Sequence, residues 1–137
     1  YSVVPPNSQH ALSTAILDTG ASGHYLAPSA RHHCTDVQHT TSGPSVQVAT
    51  GTHMESSTSA TIPLAAALSK QAQVGHIFDD LTSGSLISIG QLCDSGYKVI
   101  FDAPTMQVMD GNICVLSGQH NTTNDMWEVK LAPCDDL

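Results

Sequence analysis

The stretch from Ala15 to Leu26, AILDTGASGHYL, places three apolar residues directly before an Asp-Thr-Gly triplet at residues 18–20. The apolar residues predict a strand that enters the core, running from Ala11 to Leu17. Because aspartate and glycine favour turns, one interpretation is an ordinary exit from a strand. The other is that the turn aims a carboxylate from the end of a buried strand, with Gly20 allowing a close approach of the backbone.

The chemistry of a single carboxylate limits what this turn can do. One aspartate is a poor catalyst of amide hydrolysis, whereas two adjacent carboxylates cannot both ionise and therefore share a proton. One can then accept a proton from water while the other donates a proton to the carbonyl oxygen. This chemistry requires two such turns.

A second triplet of this kind occurs at residues 94–96, Asp-Ser-Gly. The preceding Gln91-Leu92-Cys93 predicts a helix, with Gly96 as its left-handed cap, so the triplet does not follow a core strand. One suitable triplet in the chain predicts a symmetric homodimer in which each subunit donates one Asp18.

The composition indicates one domain, residues 1–137, of an ordinary globular kind. Hydrophobic residues make up 40% and aromatic residues 4%, so aliphatic side chains must fill the core. The formal net charge of -8 argues against nucleic acid or an anionic membrane surface as a partner. No apolar run has membrane-spanning length, and we expect no signal peptide. The even count of four cysteines would permit two disulfides in a secreted protein, but they form no CxxC pair and their spacings suggest no framework, which favours free thiols in a reducing compartment.

Short segments bounded by turn residues predict a series of strands, and the class is all-β with a closed or barrel-like sheet. After the first strand, the expected strands are Ser45–Ala49, Met54–Leu64, Val74–Phe78, Tyr97–Asp102, Met106–Met109, Ile113–Leu116 and Trp127–Leu131. The first two of these form a hairpin around residues 50–52, and Asp110-Gly111 joins another hairpin.

Three other segments are expected to lie outside strands. Gly90–Ser95 predicts one short helix. Pro28–His39 predicts a loop with at most a short helical turn. Ala65–Gln73 has helical propensity, but a strand or a loop stays open there.

The stretch DTGASGHYL resembles the Asp-Ser/Thr-Gly-Ala-Ser/Thr-x-His pattern of the retropepsin-like aspartic proteases in Copia (Ty1-type) LTR-retrotransposon polyproteins. Three further stretches resemble segments of those polyproteins: VQVATGT at residues 46–52, SLISIGQLCDSGYKVIFD at 85–102 and MWEVKL at 126–131. The resemblance covers roughly residues 11 to 131. It implies a retropepsin-like closed barrel with a flap hairpin and one short helix.

The resemblance also implies roles for individual residues. Asp18 is the expected catalytic acid and base, Thr19 makes a hydroxyl bond across the dimer, and Gly20 completes the loop. Ile87, Ile89 and Gly90 match an element that packs behind this loop. The residues expected to contact substrate are Ala21, Ser22, Thr50, Gly51 and Thr52.

The activity implied is that of an aspartic endopeptidase that cleaves its own polyprotein as a homodimer. It needs neither a metal nor a cofactor, and it binds no nucleic acid or membrane through this segment. The expected location is a cytoplasmic virus-like particle or the nucleus. Two alternatives stay open: a catalytically inactive or domesticated module for dimerisation or peptide binding, and a retropepsin-like domain of a cellular shuttle protein.

The chain departs from the related viral enzymes at two positions. Those enzymes commonly carry an Asp where Ser22 stands and an Arg where Gln91 stands, and the charge pair braces their dimer. Both charges are absent here, so no single buried charge remains, and a weaker dimer is expected.

Several other residues invite a functional interpretation. For His24, substrate contact, orientation of the loop and simple exposure all stay open. Arg31-His32-His33-Cys34 lacks the spaced partner pair of a zinc site and is expected to be a solvated loop. Cys93 is expected to pack in the core or against a helix. Trp127 is expected to anchor the last strand.

Overall fold

The computed structural model describes residues 14–47, 51–81 and 84–131, which form an all-β arrangement as predicted. Twelve strands, one 3₁₀ helix and one α-helix occur in these ranges. The strands are β1 Thr14–Asp18, β2 His24–Leu26, β3 Thr35–His39, β4 Ser45–Gln47, β5 His53–Glu55, β6 Thr58–Thr61, β7 Val74–Ile77, β8 Ser85–Ser88, β9 Lys98–Phe101, β10 Thr105–Asp110, β11 Ile113–Asn121 and β12 Met126–Lys130. The 3₁₀ helix is Pro28–His33, and α1 is Ile89–Asp94.

Ten strands form one sheet in the order β3-β6-β7-β2-β8-β1-β12-β11-β10-β9, and β4 and β5 form a separate pair. Within the described residues the end strands β3 and β9 are not paired with each other, so the expected closed barrel is not found. The reason is that β9 to β12 extend the sheet beyond β1 and do not return to β3. Closure requires the two end strands to share a ladder of hydrogen bonds.

The position of β8 determines the path of the chain after β1. β8 runs parallel to β1, with Asp18 opposite Ser88, and antiparallel to β2, with Tyr25 opposite Leu86. The chain leaving β1 must therefore turn over the end of β8 before it returns as β2. This places Asp18 at the carboxyl edge of two neighbouring strands.

Aliphatic side chains fill the main core, as the composition predicts. β1 contributes Ala15 and Leu17, which alternate with half-buried neighbours in the period-two pattern of a strand. A smaller second cluster surrounds Phe78 near the two-stranded sheet. Further members of the main core are Leu26, Ala60, Ile62, Ile77, Ile87, Leu92, Met106, Val108 and Val129.

The hairpin expected around residues 50–52 is present, but its second strand is divided. β4 and β5 pair with Val46 opposite Met54, and Met54 and Val46 belong to the cluster around Phe78. The predicted strand Met54–Leu64 is interrupted at Ser56, which is buried and donates to the carbonyl of Ile77 (2.7 Å). This bond ties the chain to β7, and the residues after it join the large sheet as β6.

Other predicted elements agree with the structure in part. α1 begins after Ser88 and ends before Gly96, whose φ of 97° is the left-handed cap that was predicted. Strands at residues 74–78, 97–102, 106–109, 113–116 and 127–131 are confirmed with shifted ends. Residues 65–73 form turns, and residues 48–50 lie outside the described ranges.

Three strands were not predicted: β2, β3 and the four-residue β8. β2 has three residues, too few for a periodic pattern. β3 lies in the segment Pro28–His39 that was expected to be a loop, and the prediction was wrong there because β3 is a polar, largely exposed edge strand. The chain before it forms the 3₁₀ helix that begins at Pro28.

The described cysteines differ in exposure. Cys34 is buried and its thiol donates to the carbonyl of Ala30 (3.3 Å), whereas Cys93 and Cys114 are exposed free thiols. The prediction that Cys93 packs inside was wrong, since it lies on the outer face of α1. Cys134 lies outside the described ranges. In the part of the chain that the structure describes, no helix has the length and apolar character needed to cross a membrane.

Candidate active site

Asp18 ends β1, and the turn that follows holds its carboxylate in place. The backbone N–H of Gly20 donates to Oδ1 of Asp18 at 2.7 Å. A Cβ at position 20 would lie 3.2 Å from the same oxygen, so a larger residue would crowd the carboxylate. Oδ2 makes no hydrogen bond with any described residue. One oxygen is thus held by the backbone, and the other remains available to a ligand or to a second carboxylate.

Ser88, which lies opposite Asp18 in the parallel pair, connects the turn to α1. Its side chain is fully buried, and its hydroxyl donates to the carbonyl of Ala21 at 2.7 Å. The same oxygen accepts from the backbone N–H of Gln91 at 3.0 Å, which caps the first turn of α1. The turn after Asp18 is therefore attached to the end of β8 and to the start of α1 by one side chain.

His24 is buried, with 1% of its surface exposed, and both ring nitrogens have partners. The backbone N–H of Ser88 donates to Nδ1 at 3.0 Å. Since Nδ1 accepts, Nε2 carries the proton and donates to the carbonyl of Ala72 at 2.6 Å. Burial lowers the pKa of His24 below its usual value of 6.5. Of the three roles left open, the structure selects orientation of the loop.

Gln91, for which the sequence resemblance implies a lost arginine, holds the turn after Asp18 through an uncharged side chain. Its Oε1 accepts from the backbone N–H of His24 at 3.0 Å. Its Nε2 donates to the carbonyls of Val74 (2.7 Å) and Gln71 (3.0 Å). Ser22, the other altered position, contacts the hydroxyl of Tyr25. Within the described residues, Ser22 and Gln91 form no hydrogen bond with each other.

Asp18 borders two cavities, and Trp127 lines both of them. The larger cavity has a volume of about 570 Å³ and the smaller one about 330 Å³. The larger is lined by Ile16, Leu17, Asp18, Gly84, Leu86, Asn124, Asp125, Met126 and Trp127. The smaller is lined by Leu17, Asp18, Thr19, Ile89, Phe101 and Trp127. The candidate carboxylate thus lies on the rim of a largely apolar recess.

The residues expected to bind substrate fall into two groups. Ala21 and Ser22 belong to the turn of Asp18, where Ala21 is buried and Ser22 is exposed. Gly51 and Thr52 are exposed at the end of the β4–β5 hairpin, and neither lines the two cavities beside Asp18. Thr50 lies outside the described ranges. The structure thus brings residues 18–22 together, whereas Gly51 and Thr52 are not among the residues that line the cavities beside Asp18.

The second Asp-Ser-Gly triplet has no comparable position. Asp94 is the last residue of α1, the hydroxyl of Ser95 donates to the carbonyl of Gln91 (2.8 Å), and Gly96 follows as the cap. This agrees with the prediction that the triplet ends a helix. Of the two triplets, only the one at residues 18–20 begins at the end of a strand.

The surroundings of His32 and His33 differ from the solvated loop that was expected. Both lie in the 3₁₀ helix, where His32 is exposed and His33 is buried, with ring centroids 4.1 Å apart. In residues 14–47, 51–81 and 84–131, no group of three or more His, Cys, Asp or Glu side chains is arranged to hold a metal ion.

Sequence reasoning missed the roles of Ser88 and Trp127. Ser88 follows an apolar strand and precedes a helix, so its N-cap position could have been predicted, but not its bond to Ala21. Trp127 lies in the last described strand, as expected, but its place beside Asp18 depends on the pairing of β12 with β1. No protein-family model, curated protein or solved structure matches the chain.

Proposed function

We propose that the chain is an aspartic endopeptidase of the retropepsin-like class that works as a homodimer. The observation that carries the proposal is the position of Asp18. Its carboxylate ends a central strand, and one oxygen accepts from the N–H of Gly20. The other oxygen has no hydrogen-bond partner among the described residues, and Asp18 lines two cavities. Such a carboxylate is held in one orientation without a cationic partner among the described residues, which suits a general acid or base.

The dimer follows from the number of such carboxylates. The described chain contributes one, and the triplet that ends at Gly96 does not provide another. A two-fold axis beside Asp18 would bring the two carboxylates together, so that they share one proton. Gln91 and Ser88 would keep each turn rigid within its own subunit, because their bonds lie inside the chain.

The reaction uses water as the nucleophile. The ionised carboxylate removes a proton from water, whose oxygen attacks the scissile carbonyl, while the other carboxyl donates its proton to the carbonyl oxygen. The tetrahedral diol then collapses: the carboxyl that took the proton from water gives it to the amine as the carbon–nitrogen bond breaks, and the other carboxylate takes a proton back from a hydroxyl of the diol. The proposed substrate is an extended segment of the polyprotein of a Copia-type retroelement. The β4–β5 hairpin would cover it, within a cytoplasmic virus-like particle or the nucleus.

The test compares two aspartates that stand in similar triplets. Asp18→Asn should lower peptide-bond cleavage of a polyprotein substrate at mildly acidic pH by at least about 100-fold, since it removes the acid–base group. Asp94→Asn is the matched control and should cleave normally. Cleavage is followed by mass spectrometry with and without pepstatin.

The two variants also separate the alternatives. Equal cleavage by Asp18→Asn and the unchanged protein would overturn the proposed mechanism. A chain that dimerises and binds peptides but cleaves none would instead be the inactive module considered from the sequence.

A further inference from the structure

Trp127 stands between the two cavities that Asp18 borders. It lies in β12, next to the central strand β1, and lines both recesses. The ring of Phe101 meets it edge-on, with centroids 5.0 Å apart. Phe101 and Met126, which complete the two recesses, are 41% and 43% exposed. Large apolar surface is thus presented to solvent immediately beside the candidate carboxylate.

The position of the Trp127 ring is held by its own neighbours. His120 stacks on it, with centroids 4.6 Å apart and planes inclined by 23°. Nε2 of His120 lies 2.6 Å from Oδ1 of Asp125, which follows in the same hairpin. Asn124 accepts from the backbone N–H of Met126 (3.0 Å), which orders the turn between β11 and β12. The aromatic wall is therefore formed before any ligand arrives.

The charges around this wall have one sign. Asp18 and Asp125 are the charged side chains that line the larger cavity, and neither cavity is lined by a lysine or an arginine. The whole chain also carries a formal net charge of -8. An apolar recess with an acidic rim favours a ligand that combines an apolar side chain with a nearby positive charge.

We propose that Trp127 forms the wall of a specificity subsite that receives a large apolar side chain of a peptide lying across Asp18, with a basic residue adjacent to it. This inference rests on the proposed function, because the same carboxylate is taken as the cleavage centre. The cavity of about 570 Å³ has the size of a ligand pocket.

The first experiment measures binding without cleavage. Trp127 is the chain's one tryptophan, so its fluorescence reports directly on the subsite. The unchanged protein is titrated with an octapeptide that lacks tryptophan, carries a central Leu next to Lys and has an uncleavable reduced bond at its centre. Two control peptides replace the Leu by Ala or the Lys by Glu.

We expect a saturable change of emission with the Leu peptide. Binding of the Ala peptide should be at least about tenfold weaker, since several methylene groups leave an apolar pocket. The Glu peptide should also bind more weakly, and added salt should reduce this difference. Equal binding of the Leu and Ala peptides, or no binding, would overturn the proposal. If the emission changes with protein concentration but not with peptide concentration, the surface is a contact with a second copy of the chain, and the proposal is overturned.

A second experiment tests the role of Trp127 by measuring peptide binding to variants with calorimetry. Trp127→Ala should lower the affinity for the Leu peptide by about tenfold, because the pocket wall is lost. The affinity for the Ala peptide should change little. Trp127→Phe should retain most of the preference, and it guards against a simple loss of folding. Ile113→Ala is the matched control, since Ile113 is 67% exposed and lines neither cavity.

The outcomes of the two proposals are distinguishable. Cleavage that depends on Asp18 but shows the same peptide preference after Trp127→Ala would overturn the subsite alone. Leu-selective binding by a protein that cleaves nothing would retain the subsite and overturn the protease.

Discussion

The imidazole of His24 is held in its neutral form by the two backbone groups that it contacts. Ser88 donates to Nδ1, so a proton on that nitrogen would face another donor. Ala72 accepts from Nε2, which is satisfied only by the tautomer already present. Because Ser88 also binds the turn of Asp18 through Ala21, protonation of His24 would loosen the support of the candidate carboxylate.

This arrangement predicts how stability depends on pH. Burial lowers the pKa of His24 in the folded chain, whereas the unfolded chain keeps a value near 6.5. Below that pH the unfolded state binds a proton that the folded state does not, so the free energy of unfolding falls as the solution becomes more acidic. The contribution is complete above pH 6.5 and is lost as the pH falls to the folded pKa. Denaturant unfolding between about pH 5 and pH 8 measures it.

The variant that isolates this effect is His24→Gln. An amide can accept from Ser88 and donate to Ala72 without titrating in this range, so the acid-side loss should become smaller. Burial also lowers the pKa of the half-buried His76. His76→Gln therefore measures how much of the acid-side loss comes from a histidine that does not contact Ser88. An unchanged pH slope in His24→Gln would contradict the assignment of the neutral tautomer.

At the scale of elements, Gly118 allows β11 to lie close against β12. A Cβ there would lie 2.4 Å from the carbonyl oxygen of Glu128 and 2.9 Å from Cγ1 of Val129. Gly118→Ala must therefore push β12 away from β11, at a cost of about 2–3 kcal/mol in the free energy of unfolding. The shift should also change the emission of Trp127, which chemical denaturation followed by fluorescence would detect.

Gly90→Ala is the control, and we expect it to raise the free energy of unfolding rather than lower it. A Cβ in the first turn of α1 would lie 3.6 Å from Oγ of Ser88, an ordinary contact. Alanine favours helices over glycine, so this variant should gain about 0.5–1 kcal/mol. Equal effects of the two substitutions would show that the close approach at Gly118 does not constrain the sheet.

The elements also show which local patterns are informative. β1, α1 and the β10–β11 hairpin were predicted because each combines a pattern with a stop signal: apolar residues before Asp18, Gly96 after a helix, and Asp110-Gly111 between strands. β3 carries no such pattern, because its polar side chains are exposed and its pairing with β6 uses the backbone. Backbone hydrogen bonds constrain the residue types of an exposed strand only weakly, so its sequence does not reveal the pairing.

At the scale of the whole molecule, the proposed dimer predicts a mixing effect. When the unchanged chain and Asp18→Asn exchange subunits in equal amounts, about a quarter of the dimers contain two Asp18 residues. Cleavage should then fall to about a quarter of that of the unchanged protein at the same total concentration. A fall to about half would mean that each chain acts alone. Sedimentation of both forms checks that dimers are present.

The sequence by itself determined the all-β class, the aliphatic core and the Asp18 turn. These depend on local periodicity, on composition and on turn residues, all of which can be read within a few positions. It also indicated that residues 94–96 end a helix, which the structure confirms. The catalytic use of Asp18 stays a proposal drawn from the resemblance and from the geometry of the turn.

Only the tertiary structure decided what surrounds that turn. β8 lies between β1 and β2 although almost seventy residues separate Asp18 from Ser88 in the chain, and this insertion creates the contacts of His24 and Gln91. The pairing of β12 with β1 brings Trp127 to the cavities beside Asp18. The sheet remains open where a barrel was expected. These features depend on which distant strands pair, and strand pairing is set by packing over the whole sheet rather than by the local sequence.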